Sequence, residues 1–132
     1  MKLGICSLWG SSLEGFREEI RLASDLGFDL ISVGDSPAGW HELYVSLPLA
    51  ALDAPNATIA TLVTSPFMRH PIVTAAALSS IDDLSGGRAA LGLATGGSTV
   101  LAIGRPPATQ QEIRAELAAL QPDIFLAQGL PS

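Results

Sequence analysis

Two glycine pairs flank an apolar run in "LSGGRAALGLATGGS" (84–98), and glycine pairs let a backbone approach a bound group closely enough to use its N–H donors. Gly86-Gly87 follows the apolar face of a helix and precedes a strand. That is the place of a helix stop, which needs positive φ and nothing more. Gly96-Gly97 follows the C-terminal end of a strand instead. In parallel α/β folds ligands sit at that edge, so this pair is the first candidate for chemistry, with a plain βα turn as the alternative. "GLATGGS" has no Lys after its glycines and so is not a P-loop, and its spacing is not that of the dinucleotide fingerprint. His41 carries no metal-ligand spacing, and no metal site is expected. Trp9 and Trp40 follow the first and second strands, where an aromatic can wall a pocket or pack a core.

The elements that must position these residues alternate in type. "KLGICSL" (2–8), "DLISVGD" (29–35), "ATIATLVTS" (57–65), "AALGLAT" (89–95) and "DIFLAQG" (123–129) read as five strands. Between them, residues 13–28, 40–54, 70–87 and 108–121 read as helices. Gly27 ends the first, Pro48 bends or splits the second, Pro71 suits the first turn of the third, and Thr109 with Glu112 offers a capping box to the fourth. Four βα units and a fifth strand predict an α/β domain over 1–132 with a parallel sheet. Both an open doubly wound sheet and part of a (β/α)8 barrel fit that pattern.

Composition narrows the partners. The chain has 132 residues, is 48% hydrophobic and carries a net charge of −6, with seven scattered Lys and Arg. One domain with a core follows, and nucleic acid is set aside for want of a basic surface. The N-terminus lacks a secretory signal, and no apolar stretch reaches the ~20 residues of a spanning helix, so no membrane partner is expected. The single Cys6 reads as a small buried thiol in a reducing, cytoplasmic setting.

Three stretches together carry a resemblance: "GDSPAGWHELYVSLPLAA" (34–51), "LVTSPFMRHPIVTAAALSSIDDLSGGRAALGLATGGS" (62–98) and "IGRPPATQQEIRAEL" (103–117). They resemble the luciferase-like superfamily of flavin and deazaflavin oxidoreductases, and within it the branch of coenzyme F420-dependent methylenetetrahydromethanopterin reductase. The likeness runs from Met1 to about Leu120. It implies the N-terminal part of a (β/α)8 TIM barrel, F420 as cofactor with FMN as the alternative, and hydride transfer to or from a small organic substrate. A non-catalytic half-barrel and an FMN-dependent monooxygenase are the other functions it leaves open.

The resemblance also implies positions. The third strand ends in a bulge with a cis peptide at Leu62-Val63 that backs the ring, with Thr64 beside it. Thr95, Gly96, Gly97 and Ser98 line the cofactor after the fourth strand. Relatives often carry an acidic residue where this chain has Gly97, so Asp35, after the second strand, is the nearest ionisable group for a catalytic part, with a capping role as the alternative. Arg69 could meet a phosphate or the deazaflavin tail, and Arg69 and His70 could equally bond backbone at the start of the third helix. The resemblance implies that relatives usually place a long insertion after the fourth helix, before the strand resembling "DIFLAQGLP"; here Gln121-Pro122 joins the two directly. A full barrel takes about 250 residues. The inner face and sheet edges are therefore expected to lack partners, and a homo-oligomer to cover them.

Overall fold

The computed structural model describes residues 1–10 and 12–120. Four strands, β1 (Gly4–Ser7), β2 (Leu30–Val33), β3 (Thr58–Thr61) and β4 (Ala89–Ala90), form one parallel sheet whose spatial order is the chain order. A doubly wound sheet reverses its strand order at a switch point; this one never does. Five helices accompany it: α1 (Leu13–Asp25), α2 (Leu43–Asp53), α3 (Pro71–Ser85), α4 (Ser98–Ala102) and α5 (Gln110–Ala119). Strands laid down in sequence with helices on one face make this the opening part of a (β/α)8 barrel. The expected fifth strand, 123–129, lies outside the described residues.

Register explains which side chains meet the helices. Ile5, Ile31, Ile59 and Ala89 share one row across the sheet, and Ser7, Val33 and Thr61 another. Ile31, Val33 and Ile59 are buried with Phe16, Ile20, Leu43, Leu47 and Ile81 of the first three helices. The period of two sends Gly4, Cys6, Ser32 and Ala60 to the opposite, inner face. Cys6 is exposed there, which corrects the expectation of a buried thiol. Among the described residues no opposing strand covers it, and its Sγ meets only the Leu62 carbonyl, at 3.8 Å.

Helix ends follow the sequence closely. Ser12 caps α1, Thr109 and Glu112 form the capping box of α5, and His70 caps α3 with Pro71 in its first turn. Gly86 (φ 72°) and Gly87 (φ 83°) send their N–H groups back to Asp83 and Asp82, so the first glycine pair is a helix stop. Three elements differ from expectation, the first being the short α4, a helix absent from the sequence reading. Pro48 lies inside a continuous α2, because Leu43, Leu47, Ala50 and Ala51 anchor both of its turns in the core. β4 stops at Ala90 instead of reaching 95, because the Thr61 hydroxyl enters the ladder: it accepts from Gly92 N at 2.8 Å and donates to Gly92 O at 2.7 Å. Beyond it the Leu62–Val63 peptide is cis, and pairing resumes as a single bridge between Thr64 and Leu93.

Arginines tie the helices to the sheet. Arg17 grips Asp53 with two hydrogen bonds, of 2.7 and 2.9 Å, and Arg21 adds a third at 3.2 Å, so α1 is clasped to the end of α2. The Arg17 hydrogen bond leads in holding the Asp53 carboxyl below its ordinary range. The stability this lends is present above the usual carboxylate range and is lost as pH falls through the depressed value. Arg88 donates to the carbonyls of Ser85 (2.7 Å), Ala54 (2.8 Å), Ala51 (3.2 Å) and Ala57, joining the ends of α2 and α3 to the start of β3.

Arg88→Lys replaces that planar fork with a point charge, and denaturant unfolding is expected to show a loss of about 2 kcal/mol. Gly92→Ala drives a Cβ into the Thr61 carbonyl oxygen, which belongs to backbone and cannot swing aside. Its expected cost is about 1–3 kcal/mol, read in the same unfolding experiment; an unchanged midpoint for either variant contradicts the corresponding contact.

Candidate functional site at the strand ends

Because the strands are parallel, the segments that leave their C-terminal ends gather at one rim: Trp9 after β1, Asp35 after β2, Leu62 to Ser65 after β3 and Thr95 to Ser98 after β4. The structure thus brings together every site residue expected from sequence. Leu62 and Val63 are 48% and 36% exposed, an apolar surface at the end of β3. Gly96 has φ 83°, and a Cβ on it would stand 2.6 Å from Val100 Cγ1 and 3.1 Å from Ser65 Oγ. The loop can pass there only as glycine. A Cβ at Gly97, by contrast, meets nothing within 4 Å, so that position is open space.

Asp35 is the hub of the rim. Its Oδ2 accepts from Thr64 Oγ1 and from Arg69 Nη1, both at 2.6 Å, and its Oδ1 accepts from Arg69 Nη2 at 3.3 Å. Its backbone carbonyl takes the Thr99 hydroxyl at 2.9 Å, which fixes α4 to the end of β2. Only 1% of its side chain is exposed. Both oxygens are therefore engaged inside the protein.

Arg69 also pairs with Glu42 at the start of α2, and its Cζ lies 4.6 Å from the Tyr44 ring centroid. Burial works against the Arg69 charge, but the hydrogen bonds and charges of Asp35 and Glu42 outweigh it and raise its pKa. Tyr44, half-buried beside this cluster, is pushed up to about 12, chiefly by desolvation. Its hydroxyl has no well-formed hydrogen bond among the described residues, although Thr74 is the nearby polar group. His70 takes the expected helix-start role: its Nδ1 accepts from Ile72 N at 3.3 Å.

On the β1 side, Trp9 is stacked between Phe16 (5.5 Å) and His41 (4.3 Å). His41 Nδ1 lies 2.7 Å from the Trp9 carbonyl, which can only accept, so this nitrogen carries the proton. Trp40 Nε1 donates to Gly34 O at 3.0 Å. An open cleft of about 470 Å³ lies beside these residues, lined by Pro37, Trp40 and Glu42 among others. Another cleft of similar volume lies between α3 and β4, lined by Leu78 and Leu91, away from the strand-end loops. No group of three or more His, Cys, Asp or Glu with metal-binding geometry occurs among the described residues.

Sequence reasoning missed Glu42, Tyr44 and Thr99, whose parts depend on contacts between distant segments. It also missed Arg105, which lies 3.8 Å over the Phe67 ring. The only local sign of it was the "GRPP" turn between two helices.

Comparison with known proteins agrees with this geometry. The 5,10-methylenetetrahydromethanopterin reductase of Methanolobus tindarius is 34% identical over 76 residues, a match covering 58% of this chain and 23% of that protein. The solved coenzyme F420-dependent tetrahydromethanopterin reductase of Methanopyrus kandleri superposes with a TM-score of 0.82 at 24% identity, covering 90% of this chain and 39% of that one. The oxygenating constituent of 3,6-diketocamphane monooxygenase from Pseudomonas putida, solved with FMN, gives 0.71 at 19% identity, covering 91% and 38%. The chain thus corresponds to well under half the length of each. The family profile described as luciferase-like monooxygenase matches residues 1–120, and the chain belongs to that family.

Proposed function

We propose that this chain is the deazaflavin-binding part of an oxidoreductase that transfers hydride between coenzyme F420 and a small organic substrate. The observation that carries this reading is the exposed Leu62 and Val63 surface beside a loop that only glycine can thread at position 96. An apolar platform with close backbone approach suits a flat ring, and the residues present fit one. When bound, F420 supplies the hydride chemistry. The chain supplies placement: Leu62 and Val63 back the ring, the backbone of Thr64 sits beside them, and Thr95, Gly96, Gly97 and Ser98 border it. Asp35 serves the site by fixing Thr64, Arg69 and α4 in relation to one another. F420 is preferred to FMN because the reductases above are the relatives with the higher identity and the higher TM-score, and FMN remains the cofactor to test against it.

Turnover belongs to the completed barrel. Leu8 is 43% exposed and, with Leu62 and Val63, leaves apolar surface uncovered among the described residues. That observation favours the second reading, a half-barrel without catalysis on its own. We assign the chain to the cytoplasm on its lone thiol; no helix among the described residues is long and apolar enough to cross a membrane.

Titration of the purified chain with F420 and with FMN, followed by cofactor fluorescence, is expected to show saturable binding, tighter for F420. Gly96→Val is expected to abolish it, whereas Gly87→Ala should lower stability and leave binding intact. Equal binding by wild type and Gly96→Val removes the loop from the site, and no binding of either cofactor overturns the reading.

Burying one Leu, Ile or Val is worth about 1.5–3 kcal/mol against a net domain stability of about 5–15 kcal/mol, so the open face is expected to drive self-association. Sedimentation at low micromolar concentration should show a homo-oligomer; a strict monomer with a sharp cooperative melt contradicts it.

A further inference from the structure

A helix on the outside of a sheet normally turns a charged stripe to water, and α1 does so. Its Phe16, Ile20 and Ala23 enter the core, while Glu14, Glu18, Glu19 and Asp25 stay in solvent. Even its exposed Leu22 lies within one turn of Glu18, Glu19 and Asp25. α2 and α3 break that rule. Residues 43–52 and 71–81 hold no Lys, Arg, Asp or Glu, although the chain carries a net charge of −6. Leu43, Leu47, Ala50 and Ala51 of α2 fill the core, yet Val45 (55% exposed) and Leu52 (60%) stand in water. A helix that is apolar all round is ordinarily covered on both sides.

Helical spacing gathers these chains along one groove. On α2, Asp53 marks the flank turned to α1, since Arg17 and Arg21 hold it. Tyr44 lies under Arg69 and near Thr74, and so marks the flank turned to α3. Val45, Pro48 and Leu52 continue the Tyr44 side. On α3, Leu78, Ser79 and Asp82 line the cleft beside β4, and Val73, Ala77, Ser80 and Leu84 lie on the opposite flank, the one turned to α2. The two helices pack against each other, so both rows border the same groove. Val73 and Leu84 are also half exposed, which makes the patch continuous across the pair. A continuous exposed apolar patch marks a contact surface.

We infer that the outer groove between α2 and α3 is where a second copy of this chain docks, through the same groove of that copy. Charge selects the occupant. A basic partner would seat on the carboxylates of α1, and an uncharged groove offers it nothing to hold. Two copies of an acidic chain repel wherever like charges face each other, and along this groove none do. A two-fold axis makes such a surface its own complement. Asp83, exposed in the last turn of α3, sets the direction. With the two α3 helices antiparallel, each Asp83 approaches the positive N-terminal end of the other; in parallel, the two carboxylates would meet. The inference goes beyond the cofactor reading and does not depend on it, and the surface is separate from the open inner face of the sheet.

Leu52→Glu combined with Val73→Glu charges the groove at two exposed positions, and Cys6→Asp charges the inner face instead. Sedimentation across the micromolar range is expected to show a wild-type dimer that the double variant weakens about tenfold or more and that Cys6→Asp retains. A double variant that assembles as wild type overturns the inference. Loss of the dimer in Cys6→Asp alone also overturns it, by assigning association to the inner face, and leaves the expected homo-oligomer standing. A strictly monomeric wild type overturns both. Titration of the double variant with F420 and FMN, expected to match wild type, keeps the cofactor reading apart from these outcomes. Should the melt show that the double variant does not fold, Ser80→Cys on a Cys6→Ser background reads the groove with Leu52 and Val73 in place. Its modification by a maleimide is expected to slow as protein concentration rises. A rate independent of concentration overturns the inference, whether the thiol stays open or another part of the same chain covers it.

Discussion

A guanidinium drawn out of water at the end of a sheet needs partners for its charge, and two carboxylates meet Arg69. Asp35 reaches it from the end of β2 and Glu42 from the start of α2, while Tyr44 lies beneath it. Removing one partner of such a pair leaves a charge uncompensated, which costs several times what the pair contributes net. The arrangement therefore specifies geometry more than it adds stability. Through Asp35 it also sets Thr64 beside the apolar platform and, by way of the Asp35 carbonyl, holds Thr99 and α4. The loops at the rim are placed relative to one another by this one cluster.

Below the rim, the sheet divides its labour by face. The rows of Ile5, Ile31, Ile59 and of Ser7, Val33, Thr61 build the layer against the helices, and a large share of the fold's apolar burial lies there. The other face carries Gly4, Cys6, Ser32, Thr58 and Ala60, with Leu30 the one large side chain of its rows in these three strands. Small residues on the inner face leave room for bulkier ones from opposite strands, which is how layered barrel interiors are packed. The four strands are thus built as part of a closed structure, in keeping with relatives more than twice as long.

What was readable in the sequence was local. The Thr109 and Glu112 box, Pro71 in a first turn and Gly86-Gly87 as a helix stop each depend on residues within one turn, and all three are present. The alternation of strand and helix was readable for the same reason, but two architectures shared it, and only the family likeness chose between them. The early end of β4 was not readable, because it depends on a hydroxyl 31 residues away entering the ladder. The continuity of α2 through Pro48 depends likewise on core packing that overrides a local preference. At the site, Asp35 was found as an ionisable group, but its engagement was not, since Arg69 stands 34 positions further on and nothing in "GDSPAG" announces it. Arg105 escaped because an arginine over an aromatic ring leaves no spacing rule in the chain.

Cys6 acquires a use from where it stands. It is the chain's lone thiol, it occupies the inner face of β1, and it points toward the space that opposing strands occupy in a closed barrel. A maleimide or disulfide reagent therefore reads the state of that space directly: rapid modification reports an uncovered face, and protection reports that something has closed over it. The chain carries a built-in chemical footprint of barrel closure at a position where no label has to be introduced.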